Sequence, residues 1–272
     1  NDTRMAKAVR ETGLPVVDLR GSLPDLGMPF IGVDNRPVSQ LAFDHLRECG
    51  VKHFAFCGTP DGENVNQDFR RDHFAGLVKE AGLECNICLG TGTAGRKANW
   101  EKEQQFLTKW IEGLPKPIGM MTCHDDRGQQ VLDACRRAGV AVPDEVAVIG
   151  VDNDTHLCNL CTPPLSSIDV QPSRIGFEAA AMLGRMMSGE SVSNEPTLIG
   201  PPRGVAARRS SELLSIDDPD VAEAIRLIRE NATTGLTVSD VQRASALSVS
   251  VLERRFKKAL GRTTKAEITR VR

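Results

Sequence analysis

The stretch Ile118-Gly-Met-Met-Thr122, followed by Asp125 to Ala138, Gly139 and then Val146-Ala-Val-Ile-Gly-Val151, decides how this chain is read. Two short apolar runs flank a segment whose apolar residues recur at helical spacing, so strand, helix and strand follow one another. Gly139 suits the left-handed end of that helix. Working outward, Leu14–Leu19 and Pro29–Val33 read as strands, and a helix runs from about Pro37 to Cys49, ending at Gly50. Lys52–Cys57 is a strand, and a Gly58-Thr-Pro-Asp-Gly62 loop leads to a helix from about Gln67 to Ala81, stopped by Gly82. Glu84–Leu89 is a strand, and Asn99 is placed to cap a helix over Trp100–Glu112, ended by Gly113 and Pro115. Downstream, Ser166–Asp169 is a strand and Ser173 opens a long helix through Met187. Thr197–Ile199 and Gly204–Ala207 are two closing strands, with Pro201-Pro202 as the turn between them. This repetition predicts an α/β fold with parallel sheets and helices on both faces.

The chain has 272 residues, 40% apolar and 26% charged, with Gly 24 and Pro 15. That is ordinary for a globular protein, and at about 100–200 residues per domain it predicts two units. No apolar run reaches the roughly 18–20 residues of a spanning helix, which argues against an integral membrane protein. Asn1 to Thr12 is charged and carries no secretory h-region; with no Met at the start, an upstream piece is expected. Aromatics are 4% with no Tyr, against a surface built to stack nucleobases. The net charge of −2 conceals an asymmetry: from Arg243 onward nine basic residues face two acids, so the remainder carries −9. An acidic body with a basic end points to a tail that meets phosphate.

Of eight cysteines, Cys85/Cys88 and Cys158/Cys161 have CxxC spacing. About seventy residues separate the pairs, unlike a zinc ribbon, and residues three apart on the strand at Cys85 point to opposite faces. Cys57 and Cys123 lie in strand runs, Cys49 and Cys135 in helical ones. The reading is small buried hydrophobes in a reducing compartment, with no metal and no cofactor.

In parallel sheets, ligands bind beyond the carboxyl ends of the strands. Three such ends carry charge: the loop after Cys57 leading to Arg70 and Arg71; His124, Asp125 and Asp126; and Asp152, Asn153 and Asp154. Arginine and carboxylates converging on a cleft can grip vicinal hydroxyls; each acid is also able simply to cap the next helix, as Asp125 could. Gly90-Thr-Gly-Thr-Ala-Gly95 matches GxGxxG in letters, but the next helix opens only at Trp100 and no acid follows at a second strand end, so it reads as a loop. No nucleophile elbow or Walker loop is present, and the five histidines are dispersed, so no catalytic residue is assigned.

The C-terminal stretch is helical. Asp218 or Asp220 starts a helix through Arg229 with Val221, Ile225 and Ile228 on one face; Thr237 to Ala244 is a short helix; a turn at Ala246-Leu247 precedes Ser248, an N-cap for a basic helix over Val249–Leu260 ending at Gly261. Two short helices with a tight turn and a basic second helix make a helix-turn-helix. Leu252 and Phe256 face inward, Ser250, Glu253 and Arg254 face base edges, and Arg255, Lys257 and Lys258 hold phosphates.

Pro29–Asn35, Leu46 to Gly50, Val142-Pro-Asp-Glu-Val-Ala-Val-Ile-Gly-Val-Asp-Asn153 and Pro163-Pro-Leu-Ser-Ser-Ile168 resemble the sugar-binding domain of LacI-type repressors and periplasmic sugar-binding proteins. Leu247-Ser-Val-Ser-Val-Leu-Glu-Arg-Arg-Phe-Lys257 and Leu260-Gly-Arg-Thr263 resemble the first half of an AraC-type DNA-binding domain. The combination, joined through Ala207-Arg-Arg-Ser-Ser211, resembles the xylose operon regulator family. The resemblance implies a two-lobed, type I periplasmic-binding-protein-like domain over 1–210 with an incomplete first lobe, a linker over 211–217, and the first of two helix-turn-helix motifs over 218–272. It places ligand contacts on Arg70, if Phe74 is the family's aromatic, with Arg71 adjacent, and on Asp125 and Asp152; LacI-type proteins often have Asn where His124 stands. The implied partners are D-xylose or a related sugar, double-stranded operator DNA, a second copy in a homodimer and RNA polymerase, with action in the cytoplasm. The rivals are a transport binding protein, which would have no use for the basic module, and a sugar-modifying enzyme, which would need an oriented acid–base pair.

Overall fold

The computed structural model describes residues 3–19, 21–22, 26–91, 100–212, 218–231, 235–245, 247–260 and 262–271. The chain forms two compact units, residues 1–213 and 214–272.

The first unit is built on a six-stranded sheet. Its strands are β2 (His53–Cys57), β3 (Cys85–Cys88), β4 (Ile118–Thr122), β5 (Val146–Val151), β6 (Ser166–Asp169) and β8 (Gly204–Ala206), in the order β3-β2-β4-β5-β6-β8. All neighbours are parallel except β8, which closes the edge antiparallel to β6. Alternate side chains go to opposite faces, as the pleat requires. Phe54, Phe56, Met121, Cys123, Ala147, Ile149 and Val151 enter one core with Val38, Phe43 and Leu46 of α2 (Asn35–Glu48) and Phe74 and Val78 of α3 (Val65–Glu80). Ala55, Cys57, Cys88, Ile118, Met120, Val146 and Val148 enter the other with Leu107 and Ile111 of α4 (Trp100–Glu112) and Val131, Leu132 and Cys135 of α5 (Asp125–Ala138). Cys85 packs against the first core and Cys88 lies in the second, the opposed orientation expected of residues three apart on a strand.

A second, two-stranded parallel sheet pairs β1 (Ile31–Val33) with β7 (Thr197–Ile199), and α1 (Thr3–Glu11) and α7 (Pro172–Met187) complete this smaller lobe's described elements. The chain crosses between lobes after β1, after β6 and between β7 and β8. The crossings are tied together: Asp34 N donates to Ile199 O (3.3 Å), Gln171 Nε2 to Pro201 O (2.7 Å) and Arg203 N to Asp169 O (2.8 Å). Two lobes joined by three bonded crossings make a hinge of limited freedom.

Several elements differ from the sequence expectation. Leu14–Leu19 is not a strand; only Asp18 bridges, to Phe30. α2 begins at Asn35 because the Asp34 carboxylate caps it by accepting from Arg36 N (3.0 Å). α3 begins at Val65 because Asn64 caps it. The strands at 197–199 and 204–206 are not partners but edges of different sheets. A six-residue helix, α6 (Thr155–Leu160), follows Asp154, in a stretch to which the sequence assigned no element. The Asn99 cap, residues 92–95 of the glycine-rich loop, linker residues 213–217, Ala246 and Gly261 lie outside the described residues.

The second unit packs α8 (Pro219–Asn231), α9 (Val238–Ser245), α10 (Val249–Leu260) and α11 (Thr264–Val271) around Val221, Ala224, Ile225, Ile228, Val241, Leu252, Phe256 and Ile268. Asp218, just outside α8, accepts from Asp220 N and Val221 N. α11 is an element the sequence reading did not separate.

Candidate functional site

The sheet order reverses between β2 and β4, so the helices that follow these two strands leave on opposite faces and a crevice opens at their carboxyl ends. Arg70, in the second turn of α3, enters this crevice. Its guanidinium is buried, with Nε donating to Asn35 Oδ1 (2.9 Å) and Nη1 to Cys123 O. Burial lowers its pKa, opposed by the charges of Asp152 and Asp125, so it remains a cation next to two acids. Arg71, one residue on, points elsewhere, with its guanidinium held by Asp61, Asp68 and Asp72. The structure thus separates the two arginines that spacing alone left open.

Asp152 follows β5 with its backbone at φ 109°, and Asn153 follows at φ 55°. Two consecutive non-glycine residues with positive φ store strain that surrounding bonds must hold. Those bonds are Asp152 N to Ile168 O (3.1 Å), Asn153 N to Ser167 Oγ (2.9 Å) and Asp154 N to Asp125 Oδ2 (2.8 Å). The Asp152 carboxylate accepts no hydrogen bond from the described residues, and the residue is exposed. Enclosure by protein raises its pKa to about 6, with Arg70 opposing and Asp125, Asp126 and Asp154 adding to the rise.

Asp125 lies just after β4, as read from the sequence, and both its carboxylate oxygens are bonded within the protein. It is the first residue of α5 and is 2% exposed, with Oδ1 accepting from Ser167 Oγ (2.6 Å) and Oδ2 from Asp154 N. Burial raises its pKa, while these bonds and the Cys158 thiol favour the anion. It grips the loop carrying Asp152. Gly150 makes this possible, since a Cβ there would lie 2.2 Å from Asp125 Oδ1. The capping role falls to His124, whose Nδ1 accepts from Arg127 N (3.2 Å).

Asn35 and Asn66, which the sequence reading did not single out, join the hydrogen-bond network of Arg70. Asn35 Nδ2 donates to Asn66 Oδ1 (3.3 Å), and both line a cavity of about 810 Å³ with Phe30, Phe69, His73 and Leu198. Arg70, Asp125 and Asp152 do not line that cavity; Asn35 connects it to the Arg70 network. The available signal was Asn35's place immediately after β1, at a crossing. Among the described residues no cluster of three or more His, Cys, Asp or Glu is arranged to hold a metal, and no helix is long and apolar enough to cross a membrane.

In the second unit, Thr237 and Asp240 cap α9 reciprocally, and Leu252 and Phe256 turn one face of α10 into the core. Ser250, Arg254, Lys257 and Lys258 are exposed on the rest of α10. Ser248 Oγ meets Ser250 Oγ (3.3 Å). Two residues assigned to DNA from sequence have partners inside the unit. Arg255 Nη1 pairs with Asp218 (3.2 Å) and Asp220 (2.7 Å), and Glu253 Oε2 accepts from Thr264 N (3.3 Å) at the start of α11.

This fold and crevice define a periplasmic binding protein-like domain, and the profile of that domain family matches residues 43–211. The chain is 33% identical over 273 residues to the xylose operon regulatory protein of Escherichia coli (strain K12), covering 98% of this chain and 69% of that one. It is 32% identical over 268 residues to the protein of the same name from Haemophilus influenzae, covering 97% and 68%. The solved structure of a xylose-binding transcription activator superposes with TM-score 0.76 at 32% identity, covering 99% of this chain and 72% of that one. The chain belongs to the xylose operon regulatory protein family.

Proposed function

We propose that this protein is a transcription regulator that takes D-xylose as effector, with the sugar held between the two lobes of the first unit and DNA held by the second. The observation that carries the reading is the Asp152 carboxylate, free of internal hydrogen bonds at the mouth of the crevice beside the buried Arg70 cation. A carboxylate accepts from two vicinal hydroxyls, a guanidinium donates in a fixed fork, and together they match an aldopentose edge. Asp125 acts through Asp152 by holding its loop. Binding across the hinge favours the closed form in proportion to its differential affinity, and coupling of about 1–3 kcal/mol is the usual range.

Arg254 and Lys257, exposed on α10, are the groups proposed to meet base edges and phosphate, with Ser250 beside them. Glu253 and Arg255 orient the unit instead. A pair of copies would read two half-sites, and contact with RNA polymerase would turn binding into activation in the cytoplasm. Duplexes selected from a random pool by the full-length protein, titrated by fluorescence anisotropy with and without D-xylose, L-arabinose and D-ribose, test the reading. A change of about 5–150-fold in DNA affinity with D-xylose is expected; DNA affinity indifferent to every sugar would overturn it.

A further inference from the structure

Near the end of the first unit stands a residue whose bonds lead back to the proposed sugar site. Arg208 follows β8 and begins the segment that runs through Ser211 toward the second unit. Its backbone is stapled to β6, with N donating to Ser166 Oγ (2.7 Å) and O accepting from the same hydroxyl (2.8 Å). Its side chain reaches out of the sheet to three places. Nη2 donates to Asn153 Oδ1 (2.9 Å), Nε to Asn159 Oδ1 on α6 (3.1 Å) and Nη1 to Leu165 O (2.9 Å).

Asn153 is the residue after Asp152, on the loop with two consecutive positive φ values. A strained loop gripped at its side chain cannot shift without moving what grips it. The next residues of the exit segment are equally well held. Ser210 Oγ donates to Val148 O (2.6 Å) and accepts from Ser166 N (2.8 Å), and Ser211 meets His45 Nε2 (2.6 Å) and, through its carbonyl, the Cys49 thiol (2.9 Å). The exit segment is thus a stiff piece anchored on β5, β6 and α2. Among the described residues, Arg208 is its side-chain link to the Asp152 loop.

We infer that Arg208 is the positioning residue that passes occupancy of the Asp152 crevice to the exit segment, through the Asn153 hydrogen bond. This rests on the sugar-sensing reading above. A carboxylate that gains two hydroxyl donors settles into one position. Its neighbour Asn153 settles with it, and the guanidinium fork transmits that order to residues 208–211. Such a link needs a fork rather than a point charge, because three acceptors on three segments are held at once.

Hydrogen exchange followed by mass spectrometry, on peptides covering residues 205–216 of the full-length protein, tests this. In the wild type, saturating D-xylose is expected to slow exchange there about fivefold or more. In Arg208→Gln that slowing is expected to disappear while calorimetric xylose affinity stays within about threefold of wild type. Asn153→Gly breaks the other end of the same bond without touching Arg208 and tolerates the positive φ of this position; it is expected to behave alike, which guards against a folding defect peculiar to either variant. Arg208→Lys, with charge but no fork, is expected to follow Arg208→Gln. Sugar-dependent protection that persists in Asn153→Gly and Arg208→Gln overturns the relay. Loss of xylose binding in both also overturns it, since the residues would then act on the pocket itself. Wild-type protein that gives no heat with D-xylose fails at the earlier step and removes the sensor reading together with the relay.

Discussion

Replacing Asp152 by Asn should make the sugar-free protein more stable at neutral pH. In the folded chain the carboxyl pKa is raised from the ordinary 3.8 to about 6, because protein around it displaces part of its water and the charges of Asp125, Asp126 and Asp154 add to the rise, with Arg70 compensating in part. A raised acid pKa means that the folded state binds the extra proton between about pH 4 and 6. Ionisation above that window therefore costs stability, and protonation below it removes the cost. A shift of this size corresponds to roughly 3 kcal/mol for a fully shielded group. Asp152 is exposed, so solvent screens the charge, and about 1 kcal/mol at most is expected. For a unit of this size that is a rise in Tm of about 2–4 °C. Scanning calorimetry of wild type and Asp152→Asn at pH 8 and pH 4 reads the effect. The variant should melt higher at pH 8, and the two should converge at pH 4. A variant that melts lower at pH 8, or a difference of equal size at both pH values, would refute the reasoning.

Other consequences concern packing and charge. Gly150→Ala drives a methyl against Asp125 Oδ1 at 2.2 Å and Leu165 at 3.1 Å, and denaturant unfolding should show a loss of about 3 kcal/mol together with loss of sugar binding. Arg127, buried with Nε and Nη2 unpartnered among the described residues, is compensated by Glu103 at 2.7 Å. Glu103→Gln should therefore cost about 3–5 kcal/mol, whereas Arg127→Met with Glu103→Leu should be nearly neutral in the same assay. On α10, Lys257→Ala should weaken DNA binding uniformly and lower the salt slope by about one. Arg255→Ala breaks ion pairs to Asp218 and Asp220, so it should lower the Tm of the second unit more than it changes that slope.

The strand–helix alternation was legible because period 2 and period 3.6 leave different apolar patterns. Ile118–Thr122, Asp125–Ala138, Val146–Val151 and Trp100–Glu112 came out at the bounds found in the structure. Helix starts at Asn35 and Val65 were displaced by two residues because Asp34 and Asn64 cap them, a local bond that outweighs the apolar pattern. α6 was illegible because six residues show no period, and it exists through the Asp154 cap on His156 N and Leu157 N. Leu14–Leu19 has strand composition but makes one bridge, since pairing depends on neighbours that composition cannot report. For the site, spacing could locate three charged strand ends but not aim them. Whether Asp125 faces a crevice or Ser167 is decided by the space Gly150 leaves, and whether Arg255 faces solvent is decided by Asp218, 37 residues earlier in the chain.

In the proposed sensor a pentose is gripped by Asp152 beside Arg70. Isothermal titration of full-length protein with D-xylose, beside Asp152→Ala, tests it most directly. Saturable heat is expected in the wild type and is expected to vanish in Asp152→Ala. No heat with the wild type, or undiminished affinity in the variant, would contradict it.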